Sequence, residues 1–205
     1  MSRHFPRGAA LALVVACAPD AQDDALPRAS PDMTQRLPKD TPGRLTARLS
    51  ALSAREREMI PLLIDAARAM DEIYWIEAFG SRDSLLRVVV DPDTRRFAEI
   101  NYGPWDRLDG NAPFLHAPGG QPKGANFYPT DMDTAEFSTA ARGAQGAALR
   151  SQYTLVRRDS AGKRAAIQYR DTFAPQVGRA AEKLRAAAAL ADDPGLKRYL
   201  ELRAE

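Results

Sequence analysis

The chain has very few of the residues that lock a protein together through covalent bonds or metal. In 205 residues there is one cysteine, Cys17, and there are two histidines, His4 and His116. A single cysteine forms no internal disulfide, so the fold must rest on its core. A protein zinc site takes three or four Cys, His or carboxylate ligands. No His-Glu-x-x-His run, nor the version one residue longer, occurs anywhere. An apolar stretch long enough to cross a bilayer is missing as well, because the run AALALVVA at 9–16 is far shorter than the roughly 20 residues required. Charge of one sign is also lacking. The 29 basic residues nearly balance 27 acidic ones, and without Arg3 and Arg7 the counts are equal. This leaves no electrostatic case for a nucleic-acid partner. P-loop, dinucleotide and G-x-S-x-G patterns are absent too.

What is present begins with a processing signal. Arg3 and Arg7 precede the short apolar run, and a charged start with a short apolar core describes a secretory signal peptide over 1–16. Cys17 follows Val14, Val15 and Ala16, which resembles a bacterial lipobox whose cysteine is lipidated and becomes the first mature residue. The alternative is an ordinary signal peptide with an incidental cysteine. Ala18, with no aspartate at that position, points to the periplasmic side of the outer membrane rather than the inner membrane. Residues 17–43 carry five prolines among Asp, Ser and Thr, and a Pro-rich polar run without apolar periodicity reads as a disordered tether.

Residues 44–205 read as one folded unit. Ser53 and Glu56 form a capping-box pattern at the head of a long helix. Met59, Leu62, Leu63, Ala66, Ala67, Met70, Ile73 and Tyr74 follow at the spacing of one buried face. Gly80 ends that helix, and Pro61 either kinks it or shifts its start. The run at 84–90 fits a short helix or a strand, and Asp91-Pro92 ends it. A short strand is expected at 97–101 inside an aromatic loop over 97–129, with one or two helical turns at 131–139. Two runs, 153–157 and 164–169, flank Asp159-Ser-Ala-Gly162 and predict a β-hairpin. A helix should fill 172–190, with Ala174, Val177, Ala181, Leu184 and Ala188 on one side. Asp193-Pro194 is a cap followed by proline at the first helical position, so a last helix starts there. Its Leu196, Tyr199, Leu200 face runs toward the final residue with no capping glycine. The fold class is α+β.

The stretch FAEINYGPWDRLDGNAPFL at 97–115 carries the most information. Phe97, Tyr102, Trp105 and Phe114 stand among glycines and prolines, so this loop should be packed in one shape. Ordered loops on a scaffold are where binding groups concentrate. Asn101, Tyr102, Trp105, Asp106 and Arg107 are the candidate substrate-binding residues, the polar groups to fix backbone or partner atoms and Trp105 to anchor. A plain structural role for the loop is the competing reading. Asp106 to Asn111 is only faintly like a calcium loop, lacking the alternating oxygen ligands and terminal Glu. A carboxylate pair drawn from Glu99, Asp106 and Asp109 is a weak signal. His116, the sole histidine beyond the signal, has no nucleophile elbow to work with.

Several segments resemble the dipeptidyl peptidase III family. They are RLTARLSALSAREREMIPLLIDAARAMDEIYW at 44–75, RRFAEINYGPWDRLDG at 95–110, GANFYPTDM at 124–132, YTLVRRDSAGK at 153–163 and LKRYLELRAE at 196–205. The resemblance covers nearly everything after residue 45, in order. It implies a bacterial zinc metallopeptidase of two lobes, which releases dipeptides from the free amino end of oligopeptides. It further implies that 44–205 is the N-terminal part of such a domain, within the mixed lobe that contains a small β-barrel, truncated at its C-terminus. Family members bind zinc through a His-Glu-x-x-x-His motif and a further glutamate, and none of these positions is present here. The expectation is therefore no catalytic residue, no metal ligand and no zinc bound by this chain. It should be inactive alone, with oligopeptides and a membrane, through its lipid anchor, as partners of the whole. The rival expectation is a non-catalytic, lipid-anchored protein that binds a peptide or envelope component.

Overall fold

A computed structural model describes residues 33–115 and 119–205. The signal peptide, Cys17, most of the expected tether and His116 lie outside the described residues. The architecture is α+β: helices dominate, and two small antiparallel strand pairs complete it.

The spine is α2, Ala54–Ala78, whose 25 residues span about 37 Å at 1.5 Å per residue. The Ser53 side chain accepts from the Glu56 amide at 3.1 Å, and the Glu56 carboxylate accepts from the Ser53 amide at 2.7 Å. Both halves of the capping box are thus made. Pro61 lies inside the helix and does not displace its start. The buried face differs from the expected stripe, running through Met59, Ala66, Ala69 and Ile73, while Met70 and Tyr74 stay about two-fifths exposed.

Three packing groups hang on α2. Toward its start and middle, Met59, Ala66 and Ala69 meet Ala180, Ala187 and Ala188 of α8, Ala174–Leu190. Leu200 of α9, Pro194–Arg203, closes the first part of this seam. In its last third, Ile73 packs with Leu155 and Phe173. Those residues come from the hairpin of β3, Thr154–Arg158, and β4, Arg164–Gln168, and from the end of α7, Tyr169–Thr172. At its end, Trp75 enters an aromatic core with Leu85, Leu86, Val89, Phe97, Phe114 and Leu115. The hairpin register, Thr154 opposite Gln168 and Arg158 opposite Arg164, agrees with the expected pairing.

Of the segment at 84–90, residues 84–88 are helical, in α3, Arg82–Val88. The strand expected at 97–101 is instead the end of α4, Pro92–Asn101. Asp91 caps that helix through the Thr94 amide at 2.8 Å, and Pro92 sits in its first turn. The Asp-Pro pair thus follows the end of α3, as expected, and also starts α4, which was not expected. Helix α5, Thr134–Ala140, is capped by Asp133 and precedes α6, Gly146–Arg150. A Cβ on Gly146 would sit 2.0 Å from the Ala141 carbonyl oxygen, so only glycine fits there.

The expected tether over 17–43 also needs correction where it is described. Met33–Arg36 form helix α1, followed by a 3-10 turn over Leu37–Lys39. Met33 is buried in the aromatic core, and Leu37 packs against it. Met33 and Leu37, with the Arg36–Asp106 pair, attach this described stretch to the fold. Among the described residues, no helix is long and apolar enough to cross a membrane.

Candidate functional site

The five candidate residues converge on the end of α4 and the turn after it, but they separate into a buried trio and a pair that reaches the surface. Tyr102 ends α4 in the left-handed conformation at φ 54°, which reverses the chain. Gly103 follows at φ 153°, where an added Cβ would meet the Trp105 ring at 3.2 Å and Phe79 at 3.4 Å. Strands β1, Trp105–Asp106, and β2, Ala112–Pro113, then close the turn as a two-residue ladder.

Asn101, Trp105 and Asp106 point inward. The Asn101 amide donates to the Phe97 carbonyl at 3.0 Å, and its oxygen accepts from the Arg107 amide at 3.0 Å. The Trp105 indole donates to the Gly119 carbonyl at 2.7 Å and stacks at a tilt on Phe79. Asp106 is 1% exposed, accepts from the Leu108 amide at 3.0 Å, and pairs with Arg36 at 2.9 Å. Arg36 also approaches Asp109 at 3.7 Å. The polar atoms of these three side chains are therefore engaged in holding the turn. A buried carboxylate is tolerated only with a cation and hydrogen bonds beside it, and α1 supplies the cation.

Tyr102 and Arg107 face outward onto α2. The Tyr102 hydroxyl donates to Asp71, and the Arg107 guanidinium donates to the Tyr74 hydroxyl. The guanidinium carbon lies 4.9 Å from the Tyr74 ring centroid and 5.3 Å from that of Tyr102. The two tyrosine rings meet edge to face at 4.7 Å. The hydrogen bond to Asp71, with burial second, pushes the Tyr102 phenol up to about 12. This cluster is an ordered, half-wet surface of Tyr and Arg, the residue types that anchor interfaces. It borders a polar cleft of about 720 Å³ that includes Arg68, Asp71, Glu72, Trp75 and Arg82.

Sequence reasoning missed Arg36, Asp71 and Tyr74. Arg36 sits 70 positions before Asp106 in a segment read as tether. Asp71 and Tyr74 are three apart on α2, a spacing shared by any helix face. No local signal distinguished them. Glu99, offered for a carboxylate pair, instead meets Arg82 at 2.5 Å. The reading that joined Glu99 with Asp106 and Asp109 has no support, since Asp106 is enclosed by α1. Among the described residues, no three His, Cys, Asp or Glu side chains gather as a metal-binding group. The described residues do not fit a zinc centre.

A further ion-paired junction joins α5 to the hairpin. Arg158 donates to both Glu136 oxygens at 3.0 Å, and Arg164 donates at 2.7 Å. Those bonds, Arg158 first, hold the Glu136 carboxyl down at about 2.

No family model matches the chain. Its fold is similar to two solved structures. The DPP III of Caldithrix abyssi is 36% identical with a TM-score of 0.77, over 83% of this chain and 34% of that one. The dipeptidyl-peptidase III of Corallococcus sp. strain EGB is 28% identical with a TM-score of 0.78, over 86% of this chain and 35% of that one. A curated relative, Nudix hydrolase 3 of Arabidopsis thaliana, is 26% identical over 84% of this chain and 30% of its own length. The chain thus spans about a third of the proteins it matches.

Proposed function

We propose, from a chain that shares the fold of dipeptidyl peptidase III over about a third of those proteins' length, that it is the N-terminal part of a peptidase of that family. Its work in this reading is structural. The aromatic turn, braced by α1 and α2, forms a rigid wall of the mixed lobe. Tyr102 and Arg107, with Asp71 and Tyr74, present that wall's ordered polar face, where peptide backbone or a facing segment of the same protein would be held. The observation that carries the reading is the match at TM-scores of 0.77 and 0.78 over more than four-fifths of the chain.

The peptide-bond chemistry requires the family's zinc, which supplies a metal-activated water. This sequence has no His-Glu-x-x-x-His motif. The chain alone therefore holds no catalytic step. Anchoring through a lipidated Cys17, on the periplasmic side of the outer membrane, belongs to the same proposal.

The test is an assay of the purified chain with added zinc against a chromogenic dipeptide amide. No release above the blank is expected. Dipeptide release that follows the chain through purification would overturn the reading.

A further inference from the structure

One buried acid plays no part in the turn. Glu77, in the last turn of α2, is 9% exposed, and its Oε1 is enclosed with no hydrogen-bond partner. It lies where three segments meet α2. Asn126 donates its amide to the Glu77 carbonyl at 2.9 Å and its side chain to the Ile76 carbonyl at 2.8 Å. These bonds satisfy carbonyls at the helix end, which otherwise lack partners. Phe127 then accepts from the Val156 amide at 2.9 Å, tying the same segment to β3. Tyr169, which opens α7, brings its hydroxyl to the Glu77 carboxyl.

The charged groups around this seam are already engaged. Arg157 of β3 donates to the carbonyls of Asn126, Phe127 and Val156. On α7, Arg170 and Asp171 lie at the surface, 3.8 Å from each other. On α2 itself, Glu72 pairs with Arg179 of α8. No cation pairs with Glu77 among the described residues. An ionised carboxylate has two acceptor oxygens to satisfy, whereas the neutral acid has one fewer and gains a donor. An enclosed oxygen without a donor therefore selects the neutral form. Burial raises the Glu77 carboxyl above its ordinary range, and the Tyr169 hydroxyl offsets part of this.

We propose that Glu77 sits in this seam as a neutral carboxyl, and that its ionisation opens the seam between α2, the 124–129 segment and the hairpin to water. The proposal is independent of the peptidase reading. Because the folded state holds the proton more tightly, the stability contributed by Glu77 is complete below its unfolded value of 4.5. It is lost as pH rises through the higher folded value.

The experiment compares the full chain with Glu77→Gln and Tyr169→Phe across pH 4 to 9. Thermal unfolding is followed alongside hydrogen exchange of the Asn126 and Val156 amides. The melting temperature of the native chain should fall relative to Glu77→Gln above pH 4.5, by roughly 3–5 °C per pH unit at most, and then level off. Protection of the two amides should drop in the same window and stay flat in the amide variant. Tyr169→Phe removes a bond that favours the charged form, so it should move the window to higher pH. Loss of packing alone would lower stability without moving that window. Parallel curves for the native chain and Glu77→Gln, or a window unmoved in Tyr169→Phe, would overturn the proposal.

Discussion

The two ends of α2 solve the same packing problem in opposite ways. At the C-terminal end, large rings interlock: Phe97 meets Phe114 edge to face at 4.8 Å, and Trp75 stacks on Tyr102 at 5.2 Å. From its start to past its middle, small side chains line the contact of α2 with α8, Ala66 and Ala69 meeting Ala180, and Met59 meeting Ala187 and Ala188, with Leu62, Leu63 and Leu184 packed beside them. Rings fill the volume where α2, α3, α4 and the turn after it come together. Alanine suits two long helices lying side by side, because it costs no side-chain entropy and favours the helix itself. The aromatic end therefore depends on shape, and the alanine end on closeness.

That contrast ranks the substitutions. Phe97→Ala should be the most damaging, at about 3–5 kcal/mol, because Phe97 is 0% exposed and its ring partner would face a cavity. Urea unfolding measures it, and a loss under about 1 kcal/mol would mean the aromatic end is loosely packed. Arg36→Met should cost about 3 kcal/mol by leaving Asp106 buried without its cation. The same substitution should leave the α2–α8 seam protected in hydrogen exchange, which separates the two ends directly.

At the alanine end the error runs the other way. Ala187→Leu should cost about 1–3 kcal/mol through overpacking, since Ala187 is 0% exposed between helices. A neutral or stabilising outcome would show space where closeness is claimed. Ser53→Ala should cost about 1 kcal/mol by removing one half of the capping box at that same end. The smallest effect is one of pH. Glu136 is held down by Arg158 and Arg164, so its contribution is present above pH 4.5 and lost as pH falls toward about 2. Glu136→Gln should flatten that acid limb of a thermal-unfolding series.

The sequence was most readable where the signal is local. Ser53 with Glu56, Asp159 to Gly162 and Asp193-Pro194 each named an element through chemistry spanning a few residues, and each element is present. Asp91-Pro92 carries the same chemistry as Asp193-Pro194 and does follow the end of a helix, but the helix that it starts was not expected. The strand expected at 97–101 is the end of that helix. The packing of the candidate turn was legible in its aromatics, glycines and prolines. Its division into inward and outward groups was not, because it depends on Arg36, Asp71 and Tyr74 arriving from elements far away in sequence. The α1 segment was missed because its attachment through Met33, Leu37 and Arg36 spans too few residues for periodicity to register.

The central claim is that the 97–115 stretch is a fixed wall of the fold, and hydrogen exchange of that stretch tests it most directly. The Trp105 indole proton and the Asn111 and Phe114 amides, which donate to Gly119, Asp106 and Pro104, should exchange as slowly as amides in the middle of α8. Rapid exchange at these three sites, while α8 stays protected, would contradict the account and make the turn a mobile loop.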